Sequence, residues 1–414
     1  MLALLFVATK LRTKGKQTVH AQKIILDLLD RDCPKIHAKR RESLALLAQA
    51  GHADELTLIG MSRNLPATTC IRHRIKRCDR LLGNRKLSTE LLSIYTALAH
   101  RFIAPGSRPP IIIDWSDLLE DQSVHMLRAA VMVQGRAMLL YEEVHPQKDY
   151  AKPKVHRHFL QRLASILPPL CSPVIVTDAG FRAAWFKLVD KLNWGWIGRI
   201  RNRDMVRPSS SDEPWLGCKT LYSKANRHAK DLGAFDYVRS NPVACRLVLV
   251  KRASKGRHRK TLAGKSCRSR SSLKSAASQI EPWLLAVAPN LSELTASEVV
   301  ALYGGRMQIE QTFRDLKNPR WGLALSHTQT RCPKRLAVLL IIAALVIYAL
   351  WIIGLAARTT GYRIEYGSKK KKPYTLSVIS LARCWLQEFG KQCALSRPQI
   401  RRALDELRSQ VRNL

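Results

Sequence analysis

Acidic residues are scarce in this sequence. Its 414 residues include 31 Asp and Glu against 70 Lys and Arg, which gives a formal net charge of +39. An excess of this size makes a polyanionic partner the first expectation, with nucleic acid ahead of an anionic membrane surface. It also argues against an enzyme for a small neutral metabolite, because nothing in such chemistry offsets the self-repulsion of the chain.

Closely spaced cysteine pairs are also missing. The sequence has ten cysteines, and none of them forms a Cys-x2-Cys motif. This spacing excludes a zinc ribbon and a thioredoxin-type redox motif. A chain of this length can build a core without disulfides, so we expect reduced thiols in a cytosolic protein.

The sequence has no convincing secretory signal and a single long hydrophobic run. Residues 1–8 are apolar but have no basic residues before them, and we interpret them as a helix start or an over-extended start site. Residues 336–357 carry no charge over 22 positions, which is long enough to span a bilayer. Because the run contains Tyr348, Trp351 and Gly354, we interpret it as a buried helix, with a membrane protein as a distant alternative.

The N-terminal quarter is predicted to be helical, since its leucines and isoleucines follow helical spacing. It also carries clustered basic residues suited to DNA phosphates: Arg63, Arg74, Lys76 and Arg77. For any one of these side chains, a solvated helical face is the simpler explanation. We nevertheless predict a helical DNA-binding domain over residues 1–104.

The middle of the chain alternates buried strands with helices. A Pro- and Gly-rich linker at 105–110 precedes an apolar strand, a hairpin around residues 134–136, and then a helix, strand, helix and strand up to residue 200. This order predicts a mixed α/β sheet. The predicted division of the remaining chain is a β-rich basic insertion at 201–290, the second part of the core at 291–358, and a helical tail at 359–414.

Two aspartates follow the apolar strands. Asp114 comes after three isoleucines, and Asp178 comes after Val174-Ile175-Val176-Thr177. Ligands gather at the carboxyl ends of strands in such sheets, whereas a single aspartate at this place often only caps a loop. Two carboxylates at one sheet edge suggest a hard divalent cation, and a third would make the site suitable for two-metal phosphoryl transfer.

A third acid lies in the predicted helix 297–316. If the helix continues to residue 317, Tyr303, Arg306, Glu310 and Lys317 fall at about 0°, 300°, 340° and 320° around its axis. They therefore share one stripe, in which Tyr, Arg and Lys are suited to gripping a DNA phosphate beside a metal-binding Glu310. The alternative is a salt-bridged polar face, which does not explain the tyrosine.

This Tyr-x2-Arg-x3-Glu-x6-Lys spacing, with two upstream aspartates, resembles bacterial insertion-sequence transposases of the DDE type. It is most similar to the cut-and-paste group that forms hairpin intermediates. The resemblance covers about residues 30–360 and includes further short segments: Arg63-Asn64-Leu65-Pro66, Asp79-Arg80-Leu81-Leu82-Gly83-Asn84, Ile113-Asp114-Trp115-Ser116 and Asp178-Ala179-Gly180-Phe181.

The resemblance implies an RNase H-like (retroviral-integrase-like) core interrupted by a β-rich insertion. It implies that Asp114, Asp178 and Glu310 bind two Mg²⁺ ions, for which Mn²⁺ could substitute. It further implies that Trp283 stacks on a flipped base of the DNA hairpin and that Arg199 contacts DNA.

The implied partners are the inverted-repeat ends of the transposon and target DNA, held by a homodimer in a synaptic complex, with no membrane. The tail after residue 360 is a candidate for the protomer contact. A cytoplasmic, nucleoid-associated bacterial protein is expected. Two alternatives stay open at this point: a plain metal-dependent DNA nuclease, and a catalytically inactive DNA-binding regulator derived from a transposase.

Overall fold

The computed structural model describes residues 21–359, 376–389 and 395–414. Short gaps in this description lie at 54, 66–67, 134, 202–203, 210–211, 254–265, 267, 271, 274–276, 278–279, 320–321 and 412. The expectation for residues 1–8 therefore falls outside the described residues. The eight cysteines within them form no disulfide with one another.

The described residues form a mixed α/β structure with twelve α-helices and ten strands. The helices are α1 (Ala21–Asp32), α2 (Ala38–Ala53), α3 (Leu58–Arg63), α4 (Ile71–Leu82), α5 (Arg85–Phe102), α6 (Pro153–Ile166), α7 (Ala183–Asp190), α8 (Ala296–Gly305), α9 (Met307–Lys317), α10 (Pro333–Thr359), α11 (Val378–Phe389) and α12 (Arg397–Gln410). The strands are β1 (Pro110–Asp117), β2 (Val124–Val133), β3 (Arg136–Pro146), β4 (Val174–Thr177), β5 (Gly195–Ile200), β6 (Met205–Pro208), β7 (Leu216–Gly217), β8 (Lys230–Tyr237), β9 (Val243–Val250) and β10 (Trp283–Val287).

All ten strands belong to one sheet, in the order β3-β2-β1-β4-β5-β10-β9-β8-β6-β7. The first three strands are antiparallel, while β4 and β5 run parallel to β1. Their apolar sequences explain this arrangement, since central parallel strands are covered by helices on both faces. The sheet is consistent with the predicted RNase H-like core.

The insertion extends this sheet instead of forming a separate one. Strand β10 pairs antiparallel with β5, and β9 and β8 follow it outward. The predicted β character of 201–290 is thus confirmed for its described residues. Its place in the sheet was not predictable, because the pairing of β5 with β10 joins segments more than eighty residues apart. The five-part domain division stays a prediction.

The long hydrophobic run forms α10, which is buried. It is long and apolar enough to cross a membrane, but 89% of its most apolar 18-residue window is buried inside the structure. Helices α11 and α12 of the tail pack on it, as do α2 and α5. Gly354 permits this close packing, because a β-carbon there would lie 2.1 Å from the carbonyl oxygen of Val378. The predicted buried helix is confirmed.

The helix predicted over 297–316 is divided into α8 and α9, which corrects the single-helix expectation. The break falls at Arg306, directly after Gly304 and Gly305. Glycines weaken a helix, and Gly305 also lies against Met132 of β2, where a β-carbon would be 2.5 Å from the sulfur. The angles calculated for one continuous helix therefore do not apply across Arg306.

Candidate active site

Asp114 lies on β1, and Asp178 directly follows the neighbouring parallel strand β4. Ile113 of β1 is in register with Thr177 of β4, and Asp114 and Asp178 are the residues that directly follow this pair. Asp178 comes just after its strand, as predicted. Asp114 does not, because β1 continues to Asp117 through its pairing with β2. Asp114 is the fifth residue of an eight-residue strand, and this position corrects the expected strand end.

Helix α9 brings Glu310 to the same edge. Thr312 on this helix donates a hydrogen bond to the carbonyl oxygen of Ala137 on β3 (3.0 Å), and the amide of Ala137 donates to Thr312 Oγ1 (3.2 Å). Arg136 Nε also donates to Asp315 Oδ2 at 2.6 Å. These contacts fix α9 against the sheet and direct the Glu310 carboxylate toward Asp114.

The Arg306 guanidinium lies between the carboxylates. Its Nη1 donates to Asp114 Oδ2 at 2.9 Å, and its Nη2 donates to Glu310 Oε1 at 3.3 Å. The side chains of Arg306 and Asp114 are only 13% and 14% exposed, whereas that of Glu310 is 37% exposed. A cation therefore occupies the space between two of the three predicted metal ligands.

The pKa of Asp114 is determined by burial first and by its charged neighbours second. The pKa of this carboxyl is raised to about 7 overall: burial raises it most, Arg306 lowers it, and Asp178 and Glu310 raise it. The pKa therefore stays raised although the Arg306 guanidinium contacts this carboxylate. Carboxylates held so close together favour an additional cation over a second protonation.

The three carboxylates could hold a hard divalent cation. Carboxylate oxygens are the ligands that Mg²⁺ and Mn²⁺ prefer. Among the residues that the structure describes, no group of three His, Cys, Asp or Glu side chains already converges in metal-binding geometry. The Arg306 guanidinium keeps Asp114 and Glu310 apart, because it is hydrogen-bonded to both. Its Nε is buried and has no hydrogen-bond partner. The donor set fits the ion, provided that the guanidinium withdraws.

Tyr303 and Lys317 flank this group despite the break between the helices. The Arg306 guanidinium lies 5.9 Å from the Tyr303 ring centroid. Lys317 Nζ donates to the hydroxyl of Ser116 at 2.8 Å, two residues beyond Asp114, and burial lowers the pKa of this lysine. The four residues of the Tyr-Arg-Glu-Lys pattern therefore all reach the same site.

Trp283 stands at the start of β10, on the insertion side of the carboxylates. Its ring meets the Tyr303 ring edge-on at 4.8 Å, and the exposed Arg252 guanidinium lies 4.7 Å from its centroid.

Arg199, which the family resemblance assigns to DNA contact, makes contacts within the protein in this structure. Its Nη2 lies 3.6 Å from Glu281 Oε2 and donates to the carbonyl oxygen of Pro282 at 3.4 Å.

The basic residues predicted to bind DNA in the N-terminal helices fall into two groups. Arg63, Lys76 and Arg77 are exposed. Arg74 is half-buried, and its guanidinium donates to the carbonyl oxygens of Thr69 (3.0 Å), Arg63 (3.4 Å) and Leu65 (3.5 Å). Arg74 therefore stabilises the connection between the end of α3 and the start of α4.

Sequence reasoning missed several residues of the site. Ser116 and Arg252 are ordinary in sequence, and only the fold brings them to Lys317 and Trp283. Arg128 is directly opposite Asp114 on β2 and forms a fully buried pair with Glu142, Nε to Oε2 at 2.8 Å. The sequence signal for this pair is the presence of Arg128 and Glu142 in an otherwise apolar hairpin.

Comparison with protein families now identifies the chain. The model of the transposase DDE domain matches residues 105–349, more than half of the sequence, and this stretch contains Asp114, Asp178 and Glu310. The chain belongs to the DDE transposase family. No curated protein matches the sequence.

Membership in the DDE transposase family gives the broad activity. A DDE transposase acts on DNA, and the family generally uses divalent metal ions. The excess of positive charge, 70 Lys and Arg against 31 Asp and Glu, agrees with a DNA substrate. The matched stretch excludes the N-terminal helices and the tail, which lie on either side of the DDE domain.

Proposed function

We propose that this DDE transposase binds the inverted-repeat ends of an insertion sequence, excises the element through DNA hairpin intermediates and joins its 3′ ends to target DNA. The observation that carries the proposal is the gathering of Asp114, Asp178 and Glu310 around one guanidinium in a chain of this family. The Tyr-Arg-Glu-Lys pattern supports the narrower hairpin-forming group.

Asp114, Asp178 and Glu310 would hold two Mg²⁺ ions, with Mn²⁺ as a substitute. When bound, such ions activate the attacking oxygen and stabilise the leaving oxygen in phosphoryl transfer. The protein contributes the rigid placement of the carboxylates: one lies on β1, one directly follows the neighbouring strand β4, and the third lies on a helix tied to β3. Such fixed geometry is what accelerates a reaction that depends on positioning.

Arg306 and Lys317 would contact phosphates next to the reacting bond. In this structure Arg306 neutralises Asp114 and Glu310, so its guanidinium can pass from the carboxylates to a DNA phosphate once other cations take its place. Lys317 is held by Ser116 beside the same carboxylates. Arg63, Lys76 and Arg77 would hold DNA farther along, and their exposure supports that assignment. Arg199 would need to leave Glu281 to join them.

Trp283 would stack on a base that is flipped out when the tight hairpin forms. In this structure the Arg252 guanidinium packs over the Trp283 ring and the Tyr303 ring meets it edge-on. The aromatic surface beside the carboxylates is therefore partly covered. Flipping a base costs a few kcal/mol, and stacking offsets this cost. Tyr303 would keep the Trp283 ring in position.

We also propose a homodimer that holds two DNA ends in a synaptic complex, in the bacterial cytoplasm and associated with the nucleoid. Synapsis requires two active sites near two ends. Helices α11 and α12 pack on α10 of their own chain, so a dimer contact through the tail would use their outward faces.

The test is cleavage of linear DNA carrying the element's own ends, in Mg²⁺, followed on a denaturing gel. We expect nicks, then hairpins and then joined products. Glu310→Ala should bind the ends as the wild type does but cleave them at least about a thousandfold more slowly, because an interaction of several kcal/mol is lost. Glu293→Ala, which removes an exposed acid away from the site, is the matched control.

Other product patterns would point elsewhere. Cleavage without hairpins or joined strands would indicate a plain nuclease. Binding without breakage in Mg²⁺ or Mn²⁺ would indicate a regulator without catalysis, and unchanged cleavage by Glu310→Ala would overturn the assignment of the three carboxylates.

A further inference from the structure

Tyr150 is an exposed aromatic residue that the proposed reaction does not yet use. It follows the single-turn helix Gln147–Asp149 at the end of β3 and remains 44% exposed. Its ring lies 4.7 Å from that of His125 and 5.0 Å from that of Trp115. We call these three residues the Tyr150 cluster.

The Tyr150 ring is held in place from several directions. Its amide donates to the carbonyl oxygen of Gln147 at 3.1 Å, and the Gln147 side chain is in turn bonded to His125 Nε2. The other nitrogen of His125 pairs with Asp117 Oδ1 at 2.9 Å. An exposed aromatic ring fixed in this way loses little conformational freedom when a flat ligand stacks on it.

The cluster borders the carboxylates of the active site. Trp115 directly follows Asp114 and donates its amide to Asp114 Oδ1 at 2.9 Å. Burial raises the pKa of the Tyr150 hydroxyl, and the negative charges of Asp178, Asp117 and Asp114 raise it further. The hydroxyl therefore lies close enough to the three acids to feel their charge, while the residue remains 44% exposed.

Exposed basic residues lie close to Tyr150 in the sequence, and one of them, Lys152, donates to Asp149 Oδ1 at 3.4 Å. Lys148, Lys152, Lys154 and Arg157 are all exposed within seven residues of Tyr150. An aromatic platform among lysines is the combination that binds single-stranded or unstacked nucleic acid, since the ring stacks on a base and the lysines contact phosphates. The nearby acids disfavour a small anionic ligand, which leaves the neutral face of a nucleobase as the best match.

We propose that Tyr150 stacks on a nucleobase next to the scissile phosphate, on the side of the carboxylates opposite Trp283. The base belongs either to the transposon end or to target DNA, and the chemistry of stacking is the same for both. The inference rests on the proposed function, because it requires DNA at the three carboxylates.

The experiment measures 2-aminopurine fluorescence in Ca²⁺, so that stacking is observed without cleavage. One arm uses duplexes of the element's terminal sequence, with the probe at successive positions around the cleavage site. The other adds a probe-containing target duplex to a complex already formed with unlabelled ends. Quenching by the wild type in the first arm assigns the base to the transposon end, and quenching in the second assigns it to target DNA.

Tyr150→Ala should relieve the quenching at one or two adjacent positions and weaken binding of that DNA roughly tenfold. Tyr150→Phe should retain the quenching, because it keeps the ring. Leu170→Ala, at an exposed apolar residue outside the cluster, is the control for a general surface effect. The melting temperature of each variant shows whether it is folded.

A second measurement does not depend on the folding of Tyr150→Ala. The double variant Lys148→Ala/Lys154→Ala should make the negative slope of log binding constant against log salt shallower by about 2. Unchanged fluorescence and binding for Tyr150→Ala in both arms, or an unchanged salt slope for the double variant, would overturn the proposal. If the wild type neither binds nor cleaves its ends, the proposed function fails instead.

Discussion

Two aromatic clusters flank the carboxylates, and they are built on different physical principles. On the insertion side, the Trp283 cluster consists of Trp283, Tyr303 and Arg252, and a guanidinium lies against its ring at 4.7 Å. On the opposite side, the Tyr150 cluster packs an exposed tyrosine on Trp115 and His125. The first includes a guanidinium packed on the tryptophan ring, whereas the second is built from aromatic rings packed on one another. In the proposed reaction, DNA would displace a cation on one side and add to an open surface on the other.

This contrast predicts that pH acts mainly on the Tyr150 side. His156 supports Trp115, whose Nε1 donates to His156 Nε2 at 3.2 Å. Burial lowers the pKa of His156 to about 4, so the folded protein keeps this ring neutral. The unfolded chain takes up the proton first as the pH falls. The stability contributed by the neutral ring is therefore complete above about pH 6.5 and is lost on the way down to pH 4.

The expected loss reaches about 3 kcal/mol of unfolding free energy for this single group. Urea unfolding at pH 7.5, 5.5 and 4.5 measures it, with His156→Gln as the comparison, because glutamine can accept the Trp115 hydrogen bond but does not titrate. The wild type should lose more stability than His156→Gln as the pH falls. If the wild type and His156→Gln lost the same unfolding free energy as the pH falls, the assignment of a buried, neutral His156 would be wrong.

The cationic character of the centre is tested by Arg306→Gln. Without the guanidinium, Asp114 and Glu310 lose their shared partner, and we expect a loss of about 2 kcal/mol at pH 8 in the absence of divalent ions. The loss should shrink at pH 6, because the raised pKa of Asp114, about 7, leaves this carboxyl mostly protonated there. Added Mg²⁺ should raise the melting temperature of the variant more than that of the wild type.

Arg314→Gln is the matched control for this measurement, since Arg314 is an exposed arginine on α9, the helix that begins directly after Arg306. An equal response to Mg²⁺ in the wild type and Arg306→Gln would show that the guanidinium does not compete with metal ions for the carboxylates.

The smallest expected effect concerns the Trp283 side. Trp283→Ala should nick the DNA ends normally but form roughly tenfold fewer hairpins, because one stacked base is lost. A single-turnover gel assay separates the two products. Trp215→Ala provides the control, because Trp215 also carries an arginine over its ring, Arg207 at 5.1 Å, elsewhere in the insertion. A normal hairpin yield would assign the stacking role to another residue.

The two sides also differ in how far the sequence predicts them. Asp114, Asp178 and Glu310 were found because apolar strands and helical spacing are local patterns. The Trp283 position came from a family resemblance. Tyr150 gave no signal, because its importance depends on a turn after β3 meeting the end of β1, which only tertiary structure determines.

The same limit applies to the details of the centre. The spacing of Arg306 and Glu310 predicted their proximity, but the contact of Arg306 with Asp114 joins residues 192 positions apart. The break before α9 depends on the packing of Gly305 against Met132, and the sheet extension depends on the pairing of β5 with β10. Local elements were therefore predictable, and long-range contacts were not.

The central claim is that the three carboxylates hold the metal ions for DNA strand cleavage. Single-turnover cleavage of end DNA by Asp114→Cys in Mg²⁺ and in Mn²⁺ tests it most directly, because Mn²⁺ accepts a thiolate ligand more readily than Mg²⁺ does. We predict that cleavage is lost in Mg²⁺ and partly restored in Mn²⁺. Cleavage in Mg²⁺ at the wild-type rate would contradict the claim.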